Sequence, residues 1–239
     1  MKNFKVIVLA LSALLVFEGC QTNAGKGTAV GAGGGAALGA LAGYLIGGRS
    51  GGGAAIGAAI GTAVGSGAGY LIGKKMDKAK AAAQQVANAQ VETVQDANGL
   101  QAVKVTFDSG ILFNTGSSAL SPSAQSSLIS FANNVLKQNT DMDCAIQGYT
   151  DNQGWKGSTA AESVQKNQAL SLQRAQAVST YLIGQGVSSS QIKSVEGLGE
   201  ANPVADNSTA VGQQQNRRVE VFLYASKAMI DAANAGTLQ

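Results

Sequence analysis

Asp151 lies in IQGYTDNQGWK (146–156), where an apolar, β-branched run gives way to Gly, Thr, Asn and Gln. A carboxylate in such a turn can move protons, ligate a metal or serve as a fixed anion. The chain contains no histidine. A serine or cysteine nucleophile therefore has no imidazole base, and a metal site lacks its commonest ligand. Asp141 and Asp143 flank a short apolar stretch and read as a solvated turn, so no metal or cofactor is expected. Two carboxylates such as Asp151 and Glu162 could hydrolyse a glycoside, but nothing in their spacing favours it, and the chain is read as no enzyme. Downstream, Asn167, Ser171 and Arg174 recur at i, i+4 and i+7, so one helix face can present them together. A carboxylate with a guanidinium suits a zwitterionic amino-acid end. The first meets its ammonium, the second, often bidentate, its carboxylate.

The elements that must position these residues are legible from about Val91. VETVQDANGLQAVKVTF alternates on both sides of Asn98-Gly99, a strong hairpin signal. LSPSAQSSLISFANNVLK predicts a helix with Ser121 as N-cap and Pro122 in its first turn. Ala124, Leu128, Phe131, Ala132 and Val135 share one face of it. CAIQGYT is a short strand with Cys144 and Ile146 inward, which makes Cys144 a small buried hydrophobe. A second helix is expected over 162–184, with Leu172, Ala175, Val178 and Leu182 as its stripe and Gly184 and Gly186 as its stop. QIKSVEGLG and RRVEVFLY give two more strands. The fold class is α/β, a sandwich of one mixed sheet covered by helices.

The rest of the chain differs in kind. Glycine is 32 of 239 residues, and most of the excess lies between Gly25 and Gly73. Net charge is only +3 and the basic residues are scattered, so no nucleic-acid partner is indicated. Lys2 and Lys5 precede an apolar run, Val6 to Phe17, of signal-peptide rather than membrane-spanning length. The Gly19-Cys20 that follows resembles a bacterial lipoprotein signal, and that resemblance implies lipidation at Cys20. Glu18 departs from the pattern's usual small or apolar residue, and an uncleaved anchor is the other reading.

Between Lys26 and Lys74 only Arg49 is charged, and GALAGYLIG (39–47) returns as GSGAGYLIG (65–73). Glycines fall at every fourth position, a stripe along which two helices in lipid can approach closely. Helices over 31–47 and 53–73 would span roughly 26 and 32 Å, against about 30 Å of hydrocarbon. The other reading is a Gly/Ala linker. The segment resembles the glycine-zipper hairpins of bacterial envelope lipoproteins, which implies a transmembrane helical hairpin and a possible homo-oligomer. Residues 74–90, rich in Ala, Lys and Gln, read as a solvated helical spacer without an apolar face, its lysines near lipid headgroups. The expected organisation is 1–19 signal peptide, 20–30 lipidated tether, 31–73 membrane hairpin, 74–90 spacer, 91–225 globular domain and 226–239 tail.

Three motifs in order, GYTDNQG (148–154), NQALSLQRAQAV (167–178) and NRRVEVFL (216–223), resemble the OmpA-like C-terminal domain. The resemblance implies non-covalent binding of peptidoglycan, with Asp151 and Arg174 gripping the diaminopimelate of the stem peptide. Asn167 and Thr150 are further candidates. Asn114 and Thr115, in LFNTG, match the family's pocket wall, and Arg217 opens the last strand. For one of Arg217 and Arg218 a purely structural salt bridge is expected. The connection NQGWKGSTAAESVQK (152–166) is longer than the family's usual one, and Trp155 packs either on ligand or on the domain. The expected role is a tether of outer membrane to peptidoglycan, the domain lying in the periplasm. A motor stator would need a carboxylate in its membrane helix, and 27–73 has none. A membrane-active zipper oligomer positioned by the domain is the alternative.

Overall fold

The computed structural model describes residues 64–96 and 99–238. The signal peptide, Cys20, the first hairpin helix and Asn98 lie outside them. The described chain forms helix α1 (Ser66–Ala83), strands β1 (Ala89–Gln95) and β2 (Gln101–Asp108), and a short helix α2 (Ser109–Leu112). Helix α3 (Pro122–Phe131) follows and continues as a π-helical turn, Ala132–Leu136. Then come β3 (Met142–Gly148), α4 (Ala160–Gly184), β4 (Ile192–Gly197), α5 (Ala210–Asn216), β5 (Arg218–Ala225) and α6 (Lys227–Asn234). The sheet runs β1-β2-β5-β3-β4, antiparallel except where β4 lies parallel to β3. The mixed α/β sheet expected from the sequence is therefore present.

Local chemistry explains the elements. Gly99 takes φ 72°, and Asp96 closes the β1–β2 turn by accepting from Leu100 N through Oδ1 at 2.8 Å. Ser121 accepts from Ala124 N at 3.1 Å and caps α3, and all five residues of its predicted apolar face are fully buried. A capping box starts α4: Thr159 Oγ1 accepts from Glu162 N, while a Glu162 oxygen accepts from Thr159 N. One face of the sheet carries Val103, Val105, Phe107, Cys144, Ile146, Val219, Val221 and Leu223 into the main core. The opposite face holds a smaller cluster of Ala102, Ala145, Phe222 and Tyr224.

Three expectations change. The segment 74–90 is not a solvated spacer: α1 begins within the second zipper repeat and runs on through Ala83. Ala68, Ile72, Met76, Ala79 and Ala83 form its buried stripe. Alanine gives weak hydrophobic contrast in sequence, yet its small side chain lets a helix lie close to its neighbours. Lys75, expected at headgroups, pairs with Asp141 at 2.5 Å, and Lys80 Nζ donates to Thr93 at 3.0 Å. Second, a hairpin helix over 53–73 conflicts with Ile72 being fully buried in the domain core, since one residue cannot face both. No helix among the described residues is long and apolar enough to cross a membrane. Third, the tail contains α6, which buries Met229, Ile230 and Ala233 in the core shared with α1. The core thus extends past 91–225 at both ends.

Candidate functional site

Strand β3 delivers Asp151. Beyond Gly148 the chain is pinned from two sides: Tyr149 N donates to Arg218 O at 2.9 Å and Thr150 N to Gly199 O at 2.8 Å. Two glycines bring α4 onto this end of the sheet. Gly148 and Gly197 are register partners of β3 and β4. A Cβ on the first would overlap the Ser171 carbonyl, and one on the second the backbone of Leu172. Only glycine permits that approach, and it sets Asn167 and Arg174 beside Asp151.

The result is a cleft of about 540 Å³. Asn114, Thr115, Thr150, Asp151, Asn167, Arg174 and Arg217 all line it, so the fold brings these seven predicted residues to one place. Ser109, Phe113, Trp155 and Lys156 line it too. No motif marked Ser109; only its position directly after a strand hints at it.

Within the cleft the roles separate. Asp151 is 6% exposed; Oδ2 pairs with Arg217 Nη1, and Oδ1 accepts from Gln153 N at 3.1 Å. Arg174 is 3% exposed, donates from Nε to Ser117 O at 3.0 Å, and lies 5.2 Å over the Phe113 ring. Burial and then the like charge of Arg217 push the Arg174 pKa down, while Asp151 opposes them; a guanidinium remains charged regardless. Asn167 is committed to the wall: it accepts from Trp155 Nε1 at 2.8 Å and donates to Gln153 O at 3.1 Å. Trp155 therefore packs on the domain while still lining the cleft. Ser171, on the predicted face, does not line it. Its hydroxyl donates to Gln168 O and accepts from Gly199 N at 2.9 Å, holding the loop that holds Thr150. Asn114 and Thr115 are exposed at the rim. Thr150 Oγ1 and Ser109 Oγ are buried with no partner among the described residues.

Arg218, next to Arg217, faces away. It is 4% exposed, bonds Glu220 at 2.7 Å and Asn202 O at 3.1 Å, and stacks 3.7 Å over the Tyr149 ring. This is the structural salt bridge expected of one of the two arginines. Strand β5 begins at Arg218, so Arg217 precedes the strand rather than opening it.

Parts of the chain are similar to known proteins. The probable lipoprotein YiaD of Escherichia coli is 40% identical over 119 residues, 50% of this chain and 50% of its own length. The peptidoglycan-binding protein ArfA of Mycobacterium tuberculosis is 37% identical over 122 residues, 51% of this chain and 34% of its own length. The chain thus spans half or less of these two relatives. Among solved structures, the cell wall anchor of the T6SS from Pseudomonas aeruginosa shares the fold. Its TM-score is 0.50 at 24% identity, covering 63% of this chain and 97% of that one. Residues 1–77 match the YMGG-like Gly-zipper, and residues 112–217, which hold most of the cleft's lining, match the OmpA family.

Proposed function

We propose that this protein is a non-catalytic tether that binds peptidoglycan through the Asp151–Arg174–Arg217 cleft and takes the diaminopimelate end of the stem peptide. The observation that carries the reading is the charge arrangement. Two guanidiniums close enough to repel share one carboxylate in one cleft. A ligand carboxylate between Arg174 and Arg217 relieves that repulsion, and a ligand ammonium takes Asp151 Oδ2 as Arg217 turns toward the ligand. Arg217 can turn because its side chain is 34% exposed, whereas Arg174 is held by its bond to Ser117. Asn167 keeps the wall in place, and Thr150 offers its unpartnered hydroxyl. Hydrogen bonds of this charged kind contribute roughly 1.5–3 kcal/mol each.

The names of relatives support the setting: ArfA is described as peptidoglycan-binding, and YfiB of Pseudomonas aeruginosa as an outer-membrane lipoprotein. In this reading Cys20 carries lipid in the outer membrane and the domain lies in the periplasm. The zipper upstream of α1 contacts that membrane and is available for self-association. The test is titration calorimetry of the full chain with a diaminopimelate-containing stem peptide. Binding should occur in the wild type and weaken about 10- to 150-fold in Asp151→Ala and in Arg174→Ala. Unchanged affinity in either folded variant would overturn the site. Mass spectrometry of the native protein should show an acyl adduct at Cys20; an intact Met1 terminus would overturn the anchor.

A further inference from the structure

Resting on that reading, we propose that the 152–166 connection builds a second subsite, in which Lys156 binds the free carboxylate of the acidic residue preceding the diamino acid in the stem peptide.

The first support is charge. The cleft is lined by three cationic side chains, Arg174, Arg217 and Lys156, and by one anionic one, Asp151. A lone diamino-acid end brings one ammonium and one carboxylate, so the cleft would keep its whole surplus of two positive charges. A ligand with two carboxylates for each ammonium offsets it better. The glutamyl–diamino-acid segment of the stem has that ratio, because the γ-linked glutamyl residue keeps a free carboxylate beside the diamino acid's own carboxylate and ammonium.

The second support is construction. The connection is held at both its backbone and its side chains, so Lys156 projects from a fixed support. Trp155 N donates to Ser163 Oγ at 3.0 Å and its indole to Asn167 at 2.8 Å. Ser158 N returns to Trp155 O at 3.0 Å, Gly157 turns with φ 76°, and Lys166 Nζ ties Ser158 Oγ at 2.7 Å. Within this fixed turn Lys156 is exposed and makes no ion pair with any described residue. Lys166, by contrast, already bonds Ser158. A cation at the lip of a cationic cleft, carried on a braced turn and left unpaired, marks where a second ligand anion settles. Trp155 gives the same wall a flat apolar surface for the peptide between the two charges.

The experiment compares two stem peptides that differ in one group, the glutamyl carboxylate free or amidated, by calorimetry on the full chain at low salt. The wild type should prefer the free acid by about two- to five-fold, the range for a partly exposed ion pair. In Lys156→Gln the ratio should fall to near one. In Lys137→Gln, which removes an exposed cation away from both the turn and the cleft, it should persist. A wild type that binds both peptides equally, or a Lys156→Gln chain that keeps the preference, overturns the inference and leaves the diamino-acid site standing. If neither peptide binds the wild type, the underlying reading falls and takes the second subsite with it.

Discussion

Two adjacent arginines share a carboxylate chemistry but occupy opposite sides of the sheet. Arg217 meets Asp151 at the cleft with its side chain 34% exposed, and its partner is 9% exposed. Arg218 meets Glu220 with both side chains 5% exposed, under the Tyr149 ring and against the Asn202 carbonyl. The first pair opens to water on the Arg217 side, so on the proposed reading it can exchange partners with a zwitterion. The second cannot, since separating it would strand charge where no water can replace the partner. A pair open to water on one side costs less to separate than one closed on both.

The sharpest way to break the contrast is Glu220→Ala, which leaves Arg218 buried beside an empty place. Lys104, 3.9 Å from Glu220, loses a neighbour as well. Chemical denaturation should show a loss of about 3–5 kcal/mol, with peptide affinity retained by the fraction that folds. A loss below 1 kcal/mol would mean the two pairs are alike. Next, Asp151→Ala should weaken stem-peptide binding by about 1.5–3 kcal/mol while the denaturation midpoint stays near the wild type. A large drop in that midpoint would make Asp151 a structural residue and erase the distinction. Smaller still, Arg217→Gln should change stability by no more than about 1 kcal/mol, although calorimetry should show weaker binding. The smallest effect is that of salt. Between 0.05 and 0.5 M, where screening lengths shorten from roughly 14 to 4 Å, ligand affinity should fall a few-fold. The stability cost of Glu220→Ala should barely move.

Much of the domain was legible because local rules and the tertiary fold agree. Ser121 and Thr159 cap helices as their types require, and the apolar face of α3 is buried as its spacing demands. The candidate site was legible as a set: of the residues marked in the domain, all but Ser171 line one cleft. Their division of labour was not. Asn167 and Ser171 sit on the same helix face as Arg174, but both spend their polar atoms on bracing loops. Helix periodicity orients a side chain without telling which backbone will arrive opposite it. The ends of the domain were misread for a related reason. The stripe of α1 is mostly alanine, and its glycine spacing suits a lipid helix as well as a helix pressed on protein.

The sequence by itself determined the periodicities, the caps, the absence of histidine and hence of imidazole chemistry, and the order of motifs that brings an aspartate and an arginine into one domain. Each depends on residue type and neighbours within a few positions, where backbone geometry is nearly fixed by chemistry. Only the tertiary structure decided that Arg217 rather than Arg174 pairs with Asp151. It alone set Arg218 on the far side, and placed Lys156 unpaired at the lip of the cleft. Those outcomes depend on contacts between segments far apart in the chain. They are fixed by how closely Gly148 and Gly197 let α4 approach the sheet, a distance that no local pattern encodes.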